Sequence, residues 1–374
     1  MIEIVKVESK KQIKEFIEFP LNLYKGNPYF VPPLYGDEKS MFKKDYHYRE
    51  TCDYACYLAY LDGKVVGRIQ AILQKSSNEK WKQKRVRFTR FDSIDNQEVA
   101  NALFNAVIDF AKQYDMEEIV GPLGFSDLER EGLLIEGFEE LSTFEEQYNY
   151  PYYQKLIENL GFTKEIDWVE RQLRAPKEFD DRVIRVSNLM LKRYNLHFAK
   201  CKSIREFLKK YADGFFDIID ITYEHIYGSV PFTEKMKKNL LKSFSILLNL
   251  NYVSVILDEN EKIVCFGLCL PSIAKAVQKS NGKLTIPTIL KILKAKRNPE
   301  IIDLSLIGVL PEYAQKGVSS AFIGEIMAML NNGKIKYAET NLNLEDNLAI
   351  QNQWKHFDAR LHKRRRSFIK KIEN

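Results

Sequence analysis

Cysteine and histidine are scarce: the chain has five of each among 374 residues. An odd, sparse set of thiols excludes a disulfide framework and points to a reducing, cytoplasmic compartment. Cys52/Cys56 and Cys265/Cys269 lack a zinc spacing, and no histidine adjoins the second pair. Cys265 and Cys269 are expected as small strand residues, because a four-residue step puts both on one face. His47, His197, His225, His356 and His362 show neither metal nor triad spacing, so no metal is expected. Long apolar runs are missing, which excludes a transmembrane helix. The opening residues MIEIVKVESKKQIKEF have no signal-peptide core. Net charge is also low, and +6 permits an anionic ligand without demanding nucleic acid.

What is present fits a globular chain, with 45% hydrophobic and 29% charged residues. Its length exceeds what one core usually fills, so two domains are expected. In the first half, strands are predicted at 2–7, 57–61, 64–73, 86–93 and 119–121. Asp62-Gly63 is a hairpin turn signal. Helices are predicted at 11–19, at 99–114 behind an Asp95/Glu98 capping box, and at 152–160, where Gly161 stops the last. The stretch FPLNLYKGNPYFVPPLYGDEKSMF is expected to be irregular packed loop.

The second half repeats the order. Strands are predicted at 196–199, 252–257, 262–270, 301–309 and 335–342. Helices are predicted after Ser203, at 233–248, after residue 317 and at 347–357. Val318, Phe322, Ile326 and Met329 share one helical face. FDDRVIRVSNLMLKRYN is expected as a connecting helix between the halves. This is an internal repeat of architecture without obvious sequence identity.

One segment carries a chemical signal. In GVLPEYAQKGVSSAF a strand ends at a proline, a loop with Gly317 follows, and a helix begins. Backbone N–H groups at such a helix start hold phosphate well. The plain alternative is an ordinary connection with a flexible glycine.

The element order and this loop resemble the GNAT acetyltransferase fold, whose pyrophosphate loop reads Arg/Gln-x-x-Gly-x-Gly/Ala after Val-x-Pro-x-Tyr. Val309, Pro311, Tyr313 and Gly317 match; Ala314 and Ser319 depart from it. The matching place in the first half, FDSIDNQEVANALF, has no glycine. Across nearly the whole chain, NPYFVPPL, DGKVVGRI, GPLGFSDLEREGLLIEGF and NYPYYQKLIENLGF resemble a bacterial group of tandem GNAT-like proteins. The resemblance implies an α+β fold of two GNAT-like domains, each a mixed, mainly antiparallel sheet flanked by helices. Residues 1–175 form a degenerate domain and residues 176–374 the domain with the acyl-CoA loop.

The implied activity is transfer of an acyl group from acetyl-CoA or a longer acyl-CoA to an amine, small-molecule or peptide. Acyl carrier protein is an alternative donor. A catalytically silent acyl-CoA-binding or regulatory protein is the alternative function. Ile307, Gly308 and Val309 would face the thioester. Gln315, Lys316, Gly317, Val318, Ser319 and Ser320 would hold the pyrophosphate, and Asn347 matches the asparagine that opens the next helix in the family. Glu339 is the candidate base, with a solvated strand carboxylate as its alternative. The family's tyrosine acid is replaced by Trp354, whose indole is no acid. A free thiol has a pKa of about 8.5, so leaving as thiolate at pH 7 costs only about 2 kcal/mol.

Three other segments stand out. SDLEREGLLIEGFEE groups Asp127, Glu129, Glu131 and Glu136 around Arg130, either as an amine-binding cleft or as a solvated loop with local ion pairs. The tail RLHKRRRSFIKKI could bind nucleic acid, but a solvated, edge-protecting strand is the simpler expectation. PTILKILKAK is a basic amphipathic helix: an acyl lid, a docking face for a carrier protein or membrane, or, most simply, packing against the first domain.

Overall fold

The computed structural model describes residues 1–178 and 182–373, so Phe179, Asp180 and Asp181 of the expected connecting helix lie outside the described residues. The first half runs β1 (Ile2–Lys6), α1 (Lys10–Leu23), α2 (Tyr35–Ser40), β2 (Cys52–Leu61), β3 (Lys64–Gln74) and α3 (Lys75–Trp81). It continues with β4 (Arg85–Ser93), α4 (Gln97–Lys112), β5 (Glu118–Gly121), β6 (Leu133–Glu136), α5 (Tyr152–Glu158) and β7 (Thr163–Arg174). The second half opens with α6 (Arg182–Arg193), β8 (His197–Phe198), α7 (Ile204–Thr222), α8 (Glu234–Leu247), β9 (Val253–Leu257) and β10 (Ile263–Pro271). Then come α9 (Ala274–Gln278), α10 (Ile286–Arg297), β11 (Ile301–Val309), α11 (Pro311–Ala314) and α12 (Ser319–Asn331). The chain closes with β12 (Tyr337–Thr340), β13 (Asn343–Leu344), α13 (Leu348–Gln353) and β14 (Asp358–Lys371).

Local chemistry explains several of these elements. At the β2–β3 turn both Asp62 and Gly63 have positive φ, 50° and 76°, as a two-residue primed turn requires. Helix α1 runs through Pro20, where an irregular loop was expected. Proline has no N–H to give the carbonyl of Phe16, but the Arg68 guanidinium donates to that oxygen at 2.8 Å. The expected Asp95/Glu98 box is replaced by Asn96, whose side chain accepts from the N–H groups of Glu98 and Val99.

The strands join one sheet, in the order β1-β2-β3-β4-β5-β14-β7-β12-β11-β10-β9-β8, with β13 paired to β7 and β6 to β14 off this path. Among the described pairs, β4–β5 and β11–β12 are parallel and the rest antiparallel. The last strands are exchanged: β7 ends the first half but pairs with β12, and β14 ends the chain but pairs with β5. The basic tail is therefore a central strand, not a solvated edge. Lys363 and Arg365 are 1% and 0% exposed. Their charges are met by Glu170 on β7, which stands opposite Lys363 in register and pairs with Arg365 at 2.6 Å; Arg366 likewise stands opposite Asp167. This overturns the expected solvated edge, and the buried Lys363 and Arg365 are closed to the alternative nucleic-acid contact as well.

The repeat survives at the level of register. Gly67 on β3 faces Leu103 and Val99 of α4, and Gly267 on β10 faces Phe322 of α12. One residue beyond each glycine's pairing partner, the following strand bulges: β3–β4 shifts between Arg68 and Gln70, and β10–β11 between Leu268 and Cys269. A Cβ on Gly267 would lie 1.8 Å from the Phe322 ring, which is locked in the core. Gly267→Ala is therefore expected to lower unfolding free energy by about 1–3 kcal/mol in urea denaturation. An unchanged midpoint would show that α12 is free to shift.

Candidate active site

The second half splits open at one place. Strand β11 pairs with β12 only from Ile301 to Leu304, and the Asn341 N–H closes the contact by donating to the Leu304 carbonyl at 3.1 Å. Beyond the bulge at Ser305, β11 runs on to Val309 with no strand paired on that side among the described residues. The Leu310 N–H donates to the Val264 carbonyl, so antiparallel alternation turns the peptide groups of Ile307 and Val309 toward the opening. There the Tyr223 hydroxyl donates to the Ile307 carbonyl at 3.0 Å. Gly308 faces the other way, against Phe266 and Ile218.

The loop above the split is uncapped. Val318 is the N-cap of α12 and offers no side-chain bond. Within the loop the Lys316 N–H is used by the Tyr313 carbonyl, and the Ser320 N–H and hydroxyl by the Gly317 carbonyl. The amides of Gly317, Val318 and Ser319 donate to no carbonyl among the described residues. Gly317 has φ 71° and open space where a Cβ would stand. Gln315 caps α11, and the Lys316 ammonium lies over the Tyr313 and Tyr194 rings at 4.4 and 5.0 Å. Ser319 Oγ accepts from Gln353 at 3.1 Å. Asn347 caps α13, accepting from the Ile350 N–H at 3.2 Å. Trp354 is buried and donates to Asn343 Oδ1 at 2.8 Å, a packing role.

The corresponding places in the first half are filled by its own side chains. Asn96 caps α4. Ser93, which pairs with Gly67 as Ile307 pairs with Gly267, gives its N–H to the Tyr153 hydroxyl at 3.0 Å. Tyr24, Asp92 and Arg68 complete a buried network there.

Below the split lie the acids. Glu339 is buried in register with Asp303 and is ion-paired with Lys363, while His362 Nε2 lies 3.3 Å away. Burial pushes the Glu339 pKa up, but Lys363 and His362 outweigh it and hold the carboxyl below its usual range. Glu170 meets Lys363 at 3.4 Å and Arg365 at 2.6 Å; despite burial, Arg365 and Lys363 draw its pKa down to about 2. Glu170, Glu339 and His362 come close enough together to share a cation. The Lys363 ammonium already supplies one between the two carboxylates.

Other carboxylates behave oppositely. Glu145 accepts from the Ser305 hydroxyl, its two oxygens at 3.4 and 3.3 Å, and burial pushes its pKa up to about 7. Asp303 is raised by burial and by the nearby Glu339 and Glu145. Asp127 is raised to about 6 by burial, and Glu131 and Glu146 are raised further by burial and neighbouring acids. Asp127, Glu131, Glu146 and Asp303 each keep a buried oxygen without a hydrogen-bond partner. The acidic segment is thus largely interior, not a solvated loop; of its acids Glu136 and Glu139 are exposed. Arg130 bonds the Phe144 carbonyl at 2.9 Å, with its pKa lowered to about 10 by burial.

Two residues at this site were not found from the sequence. Tyr223 arrives from the end of α7, far along the chain from the loop. Glu145 sits in an FEEQ run just beyond the acid-rich segment; adjacent acids flanked by aromatics were the available hint.

The split between β11 and β12, the Gly317 loop, and the repeat of the strand and helix order in the first half define the tandem GNAT fold. A tandem GNAT protein from the clavulanic acid biosynthesis pathway superposes with a TM-score of 0.57, covering 100% of this chain and 99% of that one at 10% identity. Among curated proteins, Protein YghO of Escherichia coli is 26% identical over 97% of this chain and 94% of its own length. A bacterial ceramide synthase of Caulobacter vibrioides is 23% identical over 76% of this chain and 73% of its own. No protein-family model matches the chain.

Proposed function

We propose that the protein is an acyl-CoA-dependent N-acyltransferase in which residues 176–374 hold the donor and residues 1–175 form a degenerate partner shaping the acceptor cleft. The contrast between the two helix starts supports this most directly. Three unpartnered amides face the uncapped start of α12, whereas Asn96 closes α4. Free donors and the helix dipole there suit a pyrophosphate. The Ile307 and Val309 amides would polarise the thioester carbonyl.

Glu145 is the better proton acceptor of the two candidates. It touches Ser305, two residues or roughly 7 Å along β11 from Ile307. Glu339 stands opposite Asp303, four residues or roughly 13 Å away. A base must reach its proton directly or through one water. A carboxyl near pKa 7 also accepts a proton from an ammonium more readily than one held low by Lys363. We assign Glu339 the role of fixed counter-charge. The free amine attacks the thioester carbon, the C–S bond breaks, and the thiolate takes a proton. Tyr223, kept protonated by burial, is the proposed relay: its hydroxyl proton passes to the sulfur as it takes up the proton that the attacking nitrogen loses, so the tyrosine ends as it began. The unpartnered buried carboxylates suit a cationic acceptor. The likeness to a ceramide synthase makes a long-chain amino alcohol the first acceptor to try, because a ceramide is an amide of such an amine. Five free cysteines support a reducing, cytoplasmic setting.

Acetyl-CoA or a longer acyl-CoA is expected to raise the melting temperature, with about 2.7 kcal/mol gained near 100 times Kd. Gly317→Asp should abolish the shift, and Asn96→Asp should leave it intact. The ligand-free melting temperature controls for loop damage. Equal stabilisation of a folded Gly317→Asp protein would place the donor elsewhere. Trp354 in place of a tyrosine favours the silent binder as a second reading; it predicts the same shift with no CoA release in the presence of any amine.

A further inference from the structure

Helix α10 is apolar on two opposite sides. Thr288 and Ile292 are buried, and Ile292 packs with Val31, Ile273 and Val277. The other side carries Ile286, Leu290 and Leu293, which are 76%, 61% and 50% exposed. Their i, i+4, i+7 spacing makes one stripe. Leu284 and Ile289 flank it, and Ile246 at the end of α8 is exposed nearby, its carbonyl held by the Lys296 ammonium at 2.9 Å. Single exposed apolar residues are ordinary on a folded surface, but a contiguous exposed stripe on one helix marks an interaction face.

The charge around the stripe has one sign. Residues 271–299 contain seven lysines and arginines and no acid, more than the net +6 of the whole chain. Lys291, Lys294 and Arg297 are exposed on α10 itself. Beside the helix, Lys202, Leu293, Lys296 and Arg297 line a cavity of about 410 Å³.

We infer that α10 docks this protein on an anionic lipid bilayer, with the Ile286/Leu290/Leu293 stripe at the acyl boundary and the cations on lipid phosphates. An amphipathic helix with this division of residues lies in the plane of the interface and binds through apolar burial plus attraction to anionic headgroups. A second copy of the chain is a poor occupant, because a symmetric contact would bring the two cationic surfaces together. An acidic carrier protein would answer the charge but leave the exposed apolar stripe unexplained. The helix is anchored firmly enough to bear the load. Gln278 donates to the carbonyls of Pro28 and Phe30, both at 2.9 Å, and the Gly282 carbonyl accepts from the Tyr35 N–H. The same cluster includes Phe144, next to Glu145, so an acceptor drawn from the bilayer would arrive beside that carboxyl. The docking inference stands on the surface alone and does not depend on acyl transfer.

Co-sedimentation of the full chain with vesicles tests it. The protein is expected to pellet with mixed phosphatidylglycerol/phosphatidylcholine vesicles, to stay soluble with phosphatidylcholine alone, and to be released by high salt. The triple variants Ile286→Ser/Leu290→Ser/Leu293→Ser and Lys291→Glu/Lys294→Glu/Arg297→Glu should each lower partitioning roughly tenfold or more. All substituted positions are exposed, so both variants should melt like the wild type. Wild-type protein left in the supernatant, or variants that pellet as wild type does, would overturn the proposal. So would a solution dimer that the serine variant dissociates, or binding to an acidic carrier protein without binding to vesicles.

Discussion

Lys363→Met is expected to destabilise the protein by about 3–5 kcal/mol, the cost of breaking a buried ion pair from one side. Lys363 is 1% exposed and contacts both Glu170 and Glu339. Methionine fills similar volume, so the loss reports charge more than packing. Removing the ammonium leaves Glu339 with only His362 beside it, and Glu170 with Arg365. The pH dependence separates this from a packing defect. In the wild type both carboxyls have folded pKa values below their unfolded ones. Their contribution is therefore present above about pH 4.5 and lost as the pH falls toward 2. In Lys363→Met the Glu339 pKa should rise, so part of the loss is recovered on mild acidification. The double variant Lys363→Met/Glu339→Gln should be less damaged at pH 7 than the single one. Equal losses for both, at every pH, would mean that the pair contributes only shape.

The tail that contains Lys363 shows why part of this molecule was opaque in its sequence. RLHKRRRSFIKKI has the density of cations that usually marks a solvated strand, and nothing local contradicts that. Glu339 on β12 is one partner, but Glu170 and Asp167 lie on β7, almost two hundred residues earlier in the chain, and they face the tail because β7 and β14 pair in the middle of the sheet. Long-range pairing of this kind leaves no periodicity to detect. The opposite holds for the Gly317 loop. Strand, proline, glycine and apolar helix are consecutive, so residues 301–331 were legible almost to the residue. Even there the sequence did not rank the amides; hydrogen bonding singles out Gly317, Val318 and Ser319 from the expected six. The first half's closure was half visible. The missing glycine was plain in FDSIDNQEVANALF, but Tyr153 filling the place at Ser93 needed the fold. The acidic segment misled for a related reason. Charge in a glycine-punctuated stretch suggests solvent, yet Glu131 is 3% exposed because the second half covers it, with Gly228 close against its carboxylate.

Glu145→Gln is expected to lower kcat/KM for acyl transfer by about 10²–10⁴-fold, the usual range for loss of a general base. Acyl-CoA binding, read by thermal shift, should be unaffected, because Glu145 lies below the split and not at the Gly317 loop. The wild-type profile should rise with pH through about 7, where Glu145 loses its proton. The groups around it are Ser305, Asp303 and Glu146, and of these only the serine hydroxyl favours its ionised form. Stability provides a second readout that needs no acceptor. The folded pKa of Glu145 is raised above its unfolded value, so its contribution is fully present below about pH 4.5 and is lost as the pH rises through 7. Glu145→Gln removes that loss. Discounted for the part of its surface still open to solvent, the gain is about 1–2 kcal/mol at pH 8 and near zero at pH 4. A variant that is more stable at pH 8 and catalytically dead fits a group strained for function. If turnover and its pH profile are the same in Glu145→Gln and wild type, the base is another residue, and Glu339→Gln is then the variant to measure.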